Sequence, residues 1–368
     1  MNPISHATIF NALEKWAPKH LAYEWDNVGL QVGSYTEQTT KVLITLDVTE
    51  SVVDEAIKNE ANLIISHHPL LFQPLQQINI HSLKGKIIQK LLKNHISVYA
   101  SHTNLDLADG GVNDLIFDRL SLTSKEILKE VYIEKLIKLI VYIPNDYVSK
   151  VRKALGDVGV GHIGNYSHCA FQSKGQATFK PLAGANPFIG KRDIQEFVDE
   201  TKLEMIMPDN LISSALAVLK SVHPYEEVAY DLYPLKNKGK VFGLGRIGDL
   251  DHKMSLISLS QKIKETFNIS HVRITGDTDR LVQKVAVIGG SGEKYFRDAI
   301  AKKADVLITG DLTFHHALDA KEMGLAIIDP GHHIEEVMKQ ATKLYLEQIF
   351  TDIEMIDSKI DTNPFQFV

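Results

Sequence analysis

The sequence predicts an α/β protein in which a duplicated βαβ outer domain is built around a mostly parallel sheet and carries an inserted ferredoxin-like α+β domain. Three observations support this prediction. The chain has 368 residues, more than one average domain needs. Short β-branched runs alternate with helical stretches up to about residue 120, and the alternation returns after residue 238. The two alternating segments match each other at a constant offset of 243 residues without a gap.

The first outer segment, residues 1–129, begins with an amphipathic helix and continues as βαβ units. Its predicted elements are strand 42–46, helix 51–59, strand 63–65, helix 85–93 and strand 96–100. The second outer segment, residues 236–368, is predicted to contain strand 285–288, helix 293–302, strand 306–308, helix 315–321, strand 326–328 and helix 335–348. We expect the two segments to form two halves of one sheet.

Identical residues recur at the 243-residue offset along strand, helix and strand: Lys41 and Lys284, Glu50 and Glu293, Ala61 and Ala304, and Ile65 and Ile308. We interpret this as an internal duplication, with chance similarity between two βαβ units as the alternative. A duplication would place the strand ends at His67 and at Gly310 in related positions of the fold.

The middle segment, residues 130–235, has its own order of elements. We expect strand 136–143, helix 146–155, polar strands 166–171 and 177–179, strand 203–207, helix 209–220 and strand 228–233. This order is close to that of a ferredoxin-like module of about one hundred residues. The segment is therefore predicted to be an insertion between the two halves of the outer domain.

Composition and sequence pattern argue against several classes of protein. The formal charge of -6 gives no electrostatic reason to expect nucleic acid or an anionic membrane as partner. The N-terminus lacks a signal-peptide pattern, and no run of eighteen apolar residues predicts a transmembrane helix. The single cysteine, Cys169, can form neither an intrachain disulfide nor a thiolate metal cage, so we expect a cytoplasmic protein.

The histidines, by contrast, cluster in pairs. His67 and His68 directly follow the apolar run 63–65, at a strand end where ligands gather in open parallel sheets. Adjacent side chains on an extended backbone point to opposite sides, and Pro69 restricts His68 to extended conformations. This pair therefore suits two metal ions better than one. A histidine pair in a polar turn is the alternative.

The next predicted strand ends just before His102 and Asp106. Asp106 is the better candidate for a metal ligand, although a plain loop aspartate is the alternative. His102 is expected to orient a ligand through a hydrogen bond. In the second half, His332 stands four positions before Glu336, so both can lie on one side of a turn that leads into a helix.

Glu335 is then expected to face away from the site. The alternative for this segment is a helix start that carries acidic residues, which the helix dipole favours. Two residues of the second half, Asp311 and His315, are candidates for proton transfer or substrate contact, because they follow the strand that the duplication pairs with that of His67. A surface histidine is the alternative for His315.

Three imidazoles and two carboxylates form the predicted ligand set: His67, His68, Asp106, His332 and Glu336. Such a set suits two borderline divalent ions, zinc first and iron or manganese as alternatives, better than Ca²⁺ or Mg²⁺. Four positive charges against two carboxylates leave positive charge for a hydroxide and an anionic or carbonyl-bearing small molecule. The chemistry indicated is metal-assisted hydrolysis.

Two glycine-rich or aromatic motifs carry less information. The run 289–292 follows a strand and resembles a phosphate-cradling turn, but it has no Walker lysine, and a tight turn near the site is the preferred interpretation. The run 25–30, which begins with Trp25, either lines the same cavity or forms a packed turn.

These motifs, in this order along the chain, resemble the family of GTP cyclohydrolase 1 type 2 homologues, also called Nif-three-like proteins. The resemblance is carried by the runs 25–29, 46–49, 64–69, 102–106, 309–311 and 331–336. The runs 183–190 and 222–227 resemble the longer bacterial branch, whose inserted domain is similar to PII and CutA proteins. The likeness covers nearly the whole chain.

The resemblance implies a dinuclear metal centre in which His68 and Asp106 hold one ion, His67 and His332 hold the other, and Glu336 bridges them. It also implies a toroidal homohexamer whose metal sites face an internal cavity. The chain departs from the family at position 335, where the family often has Ser or Thr.

Cyclohydrolase activity is the weaker hypothesis, because familiar enzymes of that name use a Cys and His zinc site, and Cys169 lies in the insertion. We expect a metal-dependent hydrolase of a phosphoester, a nucleotide or a C–N bond in a small metabolite. The alternative is a non-enzymatic, metal-binding regulatory or ligand-sensing hexamer.

Overall fold

The computed structural model describes residues 3–367 and contains fifteen strands and eleven α-helices within that range. The strands are β1 (Gly29–Val32), β2 (Lys41–Thr45), β3 (Leu63–Ser66), β4 (Ser97–Ala100), β5 (Thr123–Ile133), β6 (Leu136–Pro144), β7 (Phe171–Phe179), β8 (Glu196–Pro208), β9 (Tyr230–Pro234), β10 (Val241–Ser255), β11 (Arg273–Thr275), β12 (Leu281–Val287), β13 (Val306–Ile308), β14 (Ala326–Asp329) and β15 (Glu354–Asp357).

The helices are α1 (His6–Trp16), α2 (Glu50–Lys58), α3 (Leu83–Lys93), α4 (Thr103–Leu107), α5 (Val112–Arg119), α6 (Val148–Asp157), α7 (Ile212–Val222), α8 (Leu256–Phe267), α9 (Phe296–Ala301), α10 (Phe314–Glu322) and α11 (Val337–Ile349). Short 3-10 helices include His332–Glu336, directly before α11. Nowhere in residues 3–367 does a helix combine the length and apolarity that crossing a bilayer requires.

The chain divides into two compact units, Met1–Tyr132 with Phe242–Val368, and Ile133–Val241. The first unit contains two mixed sheets, one in the order β1-β4-β3-β2-β15 and the other in the order β11-β14-β13-β12-β10-β5. Strands β2, β3, β4 and β15 run parallel in the first sheet, as do β12, β13 and β14 in the second. The expectation of a single sheet is therefore wrong, because the two βαβ runs form separate sheets, each with parallel strands at its centre, and β15 of the second segment joins the first sheet.

Both faces of the first sheet are buried, as its continuous apolar strands require. Along β2, Val42 and Ile44 point to one side and Leu43 to the other. The first side joins the main core with the second sheet and helices α1, α5 and α11, and the other side packs against α2 and α3.

In the first unit, Arg246 and Asp114 form a buried bidentate ion pair with N···O distances of 2.9 and 2.8 Å.

The second unit contains the elements β6, α6, β7, β8, α7 and β9 in that order. Its sheet has the order β7-β8-β6-β9, and every neighbouring pair is antiparallel. The helices α6 and α7 contribute Val151, Leu155, Ala215 and Leu219 to a separate apolar core.

Candidate metal centre

The carboxyl ends of parallel strands from both sheets of the first unit carry the candidate site. His67 and His68 follow β3, His102 and Asp106 follow β4, and Asp311 and His332 follow β13 and β14. Gly331, between β14 and the 3-10 helix, has φ of 85°, a backbone conformation that favours glycine.

Four of the predicted ligands come together, and the fifth does not. His67 Nε2 lies 3.5 Å from Asp106 Oδ1, and His68 Nε2 lies 3.1 Å from His332 Nε2. Glu335, not Glu336, completes the cluster. Its Oε2 is 3.1 Å from the Nε2 atoms of both His68 and His332 and 3.7 Å from that of His67.

The expectation that Glu335 faces away and that Glu336 faces the cluster is wrong for a local reason. Residues His332–Glu336 form a 3-10 helix, in which side chains three positions apart lie above one another. The glutamate at i+3 therefore meets His332, whereas the i+4 position, suited to an α-helix, turns away. Glu335 is 3% exposed, while Glu336 is 43% exposed and pairs with Lys339 and His333.

The ligand atoms form two groups that share Glu335. One group is His67, Asp106 and Glu335, and the other is His68, His332 and Glu335, each with its donor atoms within 4.8 Å of one another. This grouping differs from the pairing that the resemblance implied, because His67 lies with Asp106 and His68 with His332. A shared carboxylate between two donor groups is the arrangement of a bridging ligand.

Four histidine rings are held by the nitrogen that faces away from the cluster. The Nδ1 atom of His67 donates to the carbonyl oxygen of Ser101 at 2.8 Å. The remaining Nδ1 contacts are to carboxylates: His68 with Asp47 at 2.7 Å, His102 with Asp26 at 2.9 Å, and His332 with Asp311 at 2.6 Å. Metal-ligating histidines are typically anchored in this way, since the partner fixes both ring orientation and tautomer.

Two buried atoms of the cluster lack a hydrogen-bond partner within residues 3–367: His67 Nε2 and Asp106 Oδ1. A buried polar atom without a partner is costly. A divalent cation between these two atoms would satisfy both, so the donor set fits a metal ion. Borderline imidazole nitrogens together with hard carboxylate oxygens match zinc, iron or manganese.

The electrostatics of the cluster also indicate a place for positive charge. Burial alone lowers the pKa of His68, but Asp47 and Glu335 outweigh it and raise the pKa to about 10. His332 responds in the same way, with a pKa raised to about 9 by Glu335 and Asp311 against the effect of burial. Burial and the charge of Glu335 raise the pKa of Asp106 to about 8. Without a metal, protons thus supply the positive charge that these carboxylates need.

Glycine makes room for the shared carboxylate. A Cβ atom at Gly290 would lie 2.4 Å from Glu335 Oε1, and one at Gly289 would lie 3.2 Å from it. The backbone of the glycine run 289–292 therefore lies close to the side chain of Glu335.

The two predicted catalytic residues occupy different surroundings. Asp311 lies at the cluster, but its Oδ2 is engaged by His332 Nδ1. His315 is exposed on α10 beside Phe314 and does not line the cavity that contains the cluster. Sequence reasoning missed Asp26, which binds His102 and is also bound by the hydroxyl and amide of Thr103. Its only signal was its place in the run that begins with Trp25.

Comparisons with known proteins agree with this geometry. The family model described as Duf34/NIF3 (NGG1p interacting factor 3) matches residues 4–364. A GTP cyclohydrolase 1 type 2 homolog from Halalkalibacterium halodurans is 46% identical over 365 residues, with 98% of each chain covered. One of the same name from Bacillus subtilis is 46% identical over 364 residues, again with 98% of each covered.

Two solved structures are similar along their full length. A Bacillus cereus protein related to NIF3 superposes with a TM-score of 0.92 at 45% identity, and 100% of each chain is covered. A Staphylococcus aureus protein superposes with a TM-score of 0.79 at 35% identity, with the same coverage. The resemblance found in the sequence motifs is thereby confirmed.

Proposed function

Because this chain belongs to the Duf34/NIF3 family, we propose that it is a dinuclear metalloprotein that hydrolyses a small anionic metabolite. One observation carries the proposal: two donor groups share the buried carboxylate of Glu335, and two other atoms of the cluster are buried without partners. His67, Asp106 and Glu335 would hold one ion, and His68, His332 and Glu335 the other. Zinc is the preferred metal, with iron or manganese as alternatives.

Two divalent ions, when bound, supply Lewis acidity and lower the pKa of water. The protein's own residues hold the ligands in place for that chemistry. Asp47 and Asp311 fix the rings of His68 and His332. We assign Asp311 a positioning role on this basis, and His315 takes no part in the proposed reaction.

His102 adds a further polar group at the edge of the cluster. One of its ring nitrogens lies within 4.8 Å of those of His67 and His68, while its Nδ1 is held by Asp26. A purely structural metal site has little use for such a group. His102 therefore supports an enzyme over a structural metal protein, either as an additional ligand or as a contact for substrate.

The reaction named by the relatives is not carried over to this chain. The donor groups contain imidazole and carboxylate only, and Cys169 belongs to the second unit. We propose hydrolysis of a phosphoester or of a C–N bond instead.

We further propose that residues 130–235 form an inserted ferredoxin-like domain in a toroidal homohexamer. Light scattering of the purified protein tests the assembly.

Metal content of the purified protein, loaded with zinc and washed with a weak chelator, tests the proposal first. We expect two zinc ions per chain, and at most one per chain in His67→Ala or His332→Ala. His315→Ala, a histidine outside the cavity, should retain two. A wild-type content of one zinc per chain or less would refute the dinuclear site.

Hydrolysis is tested on the same preparation with phosphomonoesters, phosphodiesters and cyclic amides. Turnover that disappears in His67→Ala but persists in His315→Ala supports the hydrolase. Two bound ions without turnover of any of these substrates would favour the metal-binding regulatory alternative.

A further inference from the structure

The cavity that contains the candidate metal site is also lined by exposed aromatic side chains. It has a volume of about 1170 Å³, and its lining includes Trp25 and Phe72, whose side chains are 56% and 40% exposed. The two ring centroids are 5.9 Å apart, and those of Trp25 and Phe72 lie 6.3 and 6.2 Å from the ring of His102. Exposed aromatic rings next to a polar centre are typical of a ligand contact.

One face of the Trp25 ring is covered by another aromatic side chain. Its ring stacks on that of Tyr23 with a centroid distance of 5.5 Å and an interplanar angle of 12°. Because Tyr23 covers one face and more than half of the side chain remains exposed, the other face is available to the cavity. A rigid aromatic face of this kind can stack on a planar ring.

Positive charge lies beside these aromatic side chains. The hydroxyl of Tyr23 is 3.5 Å from that of Tyr295, and Lys294 Nζ lies 5.2 Å from the Tyr295 ring centroid. Lys294 and Lys84 both line the cavity, and neither forms an ion pair within residues 3–367. Because no described carboxylate pairs with either lysine, both are available to an anion.

The balance of charge in the cavity depends on the metal. Five acidic residues line it: Asp47, Asp106, Asp311, Asp329 and Glu335. Three basic side chains oppose them: Lys84, Lys294 and Arg273. With the histidines neutral as metal ligands, two divalent ions would outweigh the excess of carboxylates over Lys and Arg and leave the cavity positive, which attracts a doubly charged anion.

We propose that the substrate is an aromatic phosphate, in which a planar ring stacks on Trp25 beside Phe72 and the phosphate group lies between Lys294 and the metal centre. This inference rests on the proposed function, since the metal ions provide the excess positive charge. It narrows the substrate class from small anions in general to those that carry a planar ring.

Binding measurements with matched probes test the proposal. The zinc-loaded protein is titrated calorimetrically with adenosine monophosphate, uridine monophosphate and phenylphosphonate, which carry a ring, and with ribose 5-phosphate and methylphosphonate, which do not. We expect each ring-bearing probe to bind at least about fivefold more tightly than the ringless probe matched to it. In a Trp16→Phe background Trp25 is the sole tryptophan, and only ring-bearing probes should quench its fluorescence.

Variants separate the two parts of the site. Trp25→Ala should weaken the ring-bearing probes about 5- to 150-fold and leave ribose 5-phosphate unchanged, because stacking on one aromatic side chain is worth that much. Trp25→Phe should retain most of the affinity. Phe314→Ala, which removes a 76% exposed aromatic ring outside the cavity, should change nothing.

Lys294→Ala should weaken adenosine monophosphate and ribose 5-phosphate by the same factor, whereas Lys86→Ala, outside the cavity, should not. Metal content of every sample is measured by elemental analysis. If two zinc ions are bound and ring-bearing probes bind no better than ringless ones, this inference is wrong while the metal site stands. If zinc does not bind, the proposed function itself fails.

Discussion

Two variants, each with one of two neighbouring glutamates replaced by glutamine, give the sharpest test of the site. Glu335→Gln replaces the carboxylate that lies 3.1 Å from two histidine nitrogens, and Glu336→Gln replaces one that pairs with Lys339 at the surface of the cluster's helix. The substitutions are chemically identical and adjacent in sequence. Any difference between them therefore reports on geometry alone.

The expected effects differ by orders of magnitude. Loss of a residue that merely orients a metal ligand typically costs 10- to 100-fold in metal affinity, so loss of the shared ligand Glu335 should cost at least about 100-fold. Glu336 is 43% exposed, and an exposed ion pair contributes only about 0–1 kcal/mol. We expect Glu336→Gln to bind two zinc ions with affinity within about threefold of the wild type.

Competition titration against a zinc chelator, followed by elemental analysis, measures both effects. The metal-free proteins provide a second readout, because removal of the Glu335 charge should lower the pKa of His68 from about 10 and that of His332 from about 9. NMR titration of the ring protons follows this change. Equal zinc content in the two variants, or a larger loss in Glu336→Gln, would refute the assignment of Glu335 as the shared ligand.

Of three further predictions, two concern the surroundings of the cluster and one concerns the buried ion pair of Asp114 and Arg246. Gly290→Ala should abolish binding of at least one zinc ion, since its methyl group would meet the shared carboxylate, whereas Gly164→Ala, at nearly the same φ but in open space, should not. Thr362→Val removes the 2.7 Å hydroxyl bond to Asp47 and should weaken one zinc site about two- to tenfold in the chelator titration, while Thr362→Ser restores it. Asp114→Asn should lower the free energy of unfolding by about 3–5 kcal/mol at pH 7 in urea titrations. Burial alone would raise the pKa of Asp114, but the guanidinium of Arg246 lowers this pKa below 3.8. The difference in unfolding free energy between wild type and variant should therefore be present above pH 3.8 and shrink as the pH falls further. A difference that stays constant with pH would contradict the pairing.

Much of the fold could be predicted from the pattern of the sequence. Buried parallel strands such as β3 give uninterrupted apolar runs, and the polar residues that follow them mark the sheet edge where a site forms. Strand pairing between distant segments has no such local signal. The sequence analysis did not predict β15, which joins the first sheet beside β2 although more than 300 residues separate them.

The candidate site, like the fold, could be predicted from the sequence only in part. His67, His68, Asp106 and His332 could be found because each follows a strand end. The choice between Glu335 and Glu336 depends on whether the first turn is 3-10 or α-helical, and two adjacent glutamates give no sequence signal for that difference.

Anomalous diffraction at the zinc edge, from crystals of the zinc-loaded protein, tests the central claim most directly. The account predicts two peaks per chain about 3.5–4 Å apart, one within reach of His67 and Asp106 and one within reach of His68 and His332, with Glu335 between them. A cluster without zinc, or peaks located only at Glu336, would contradict it.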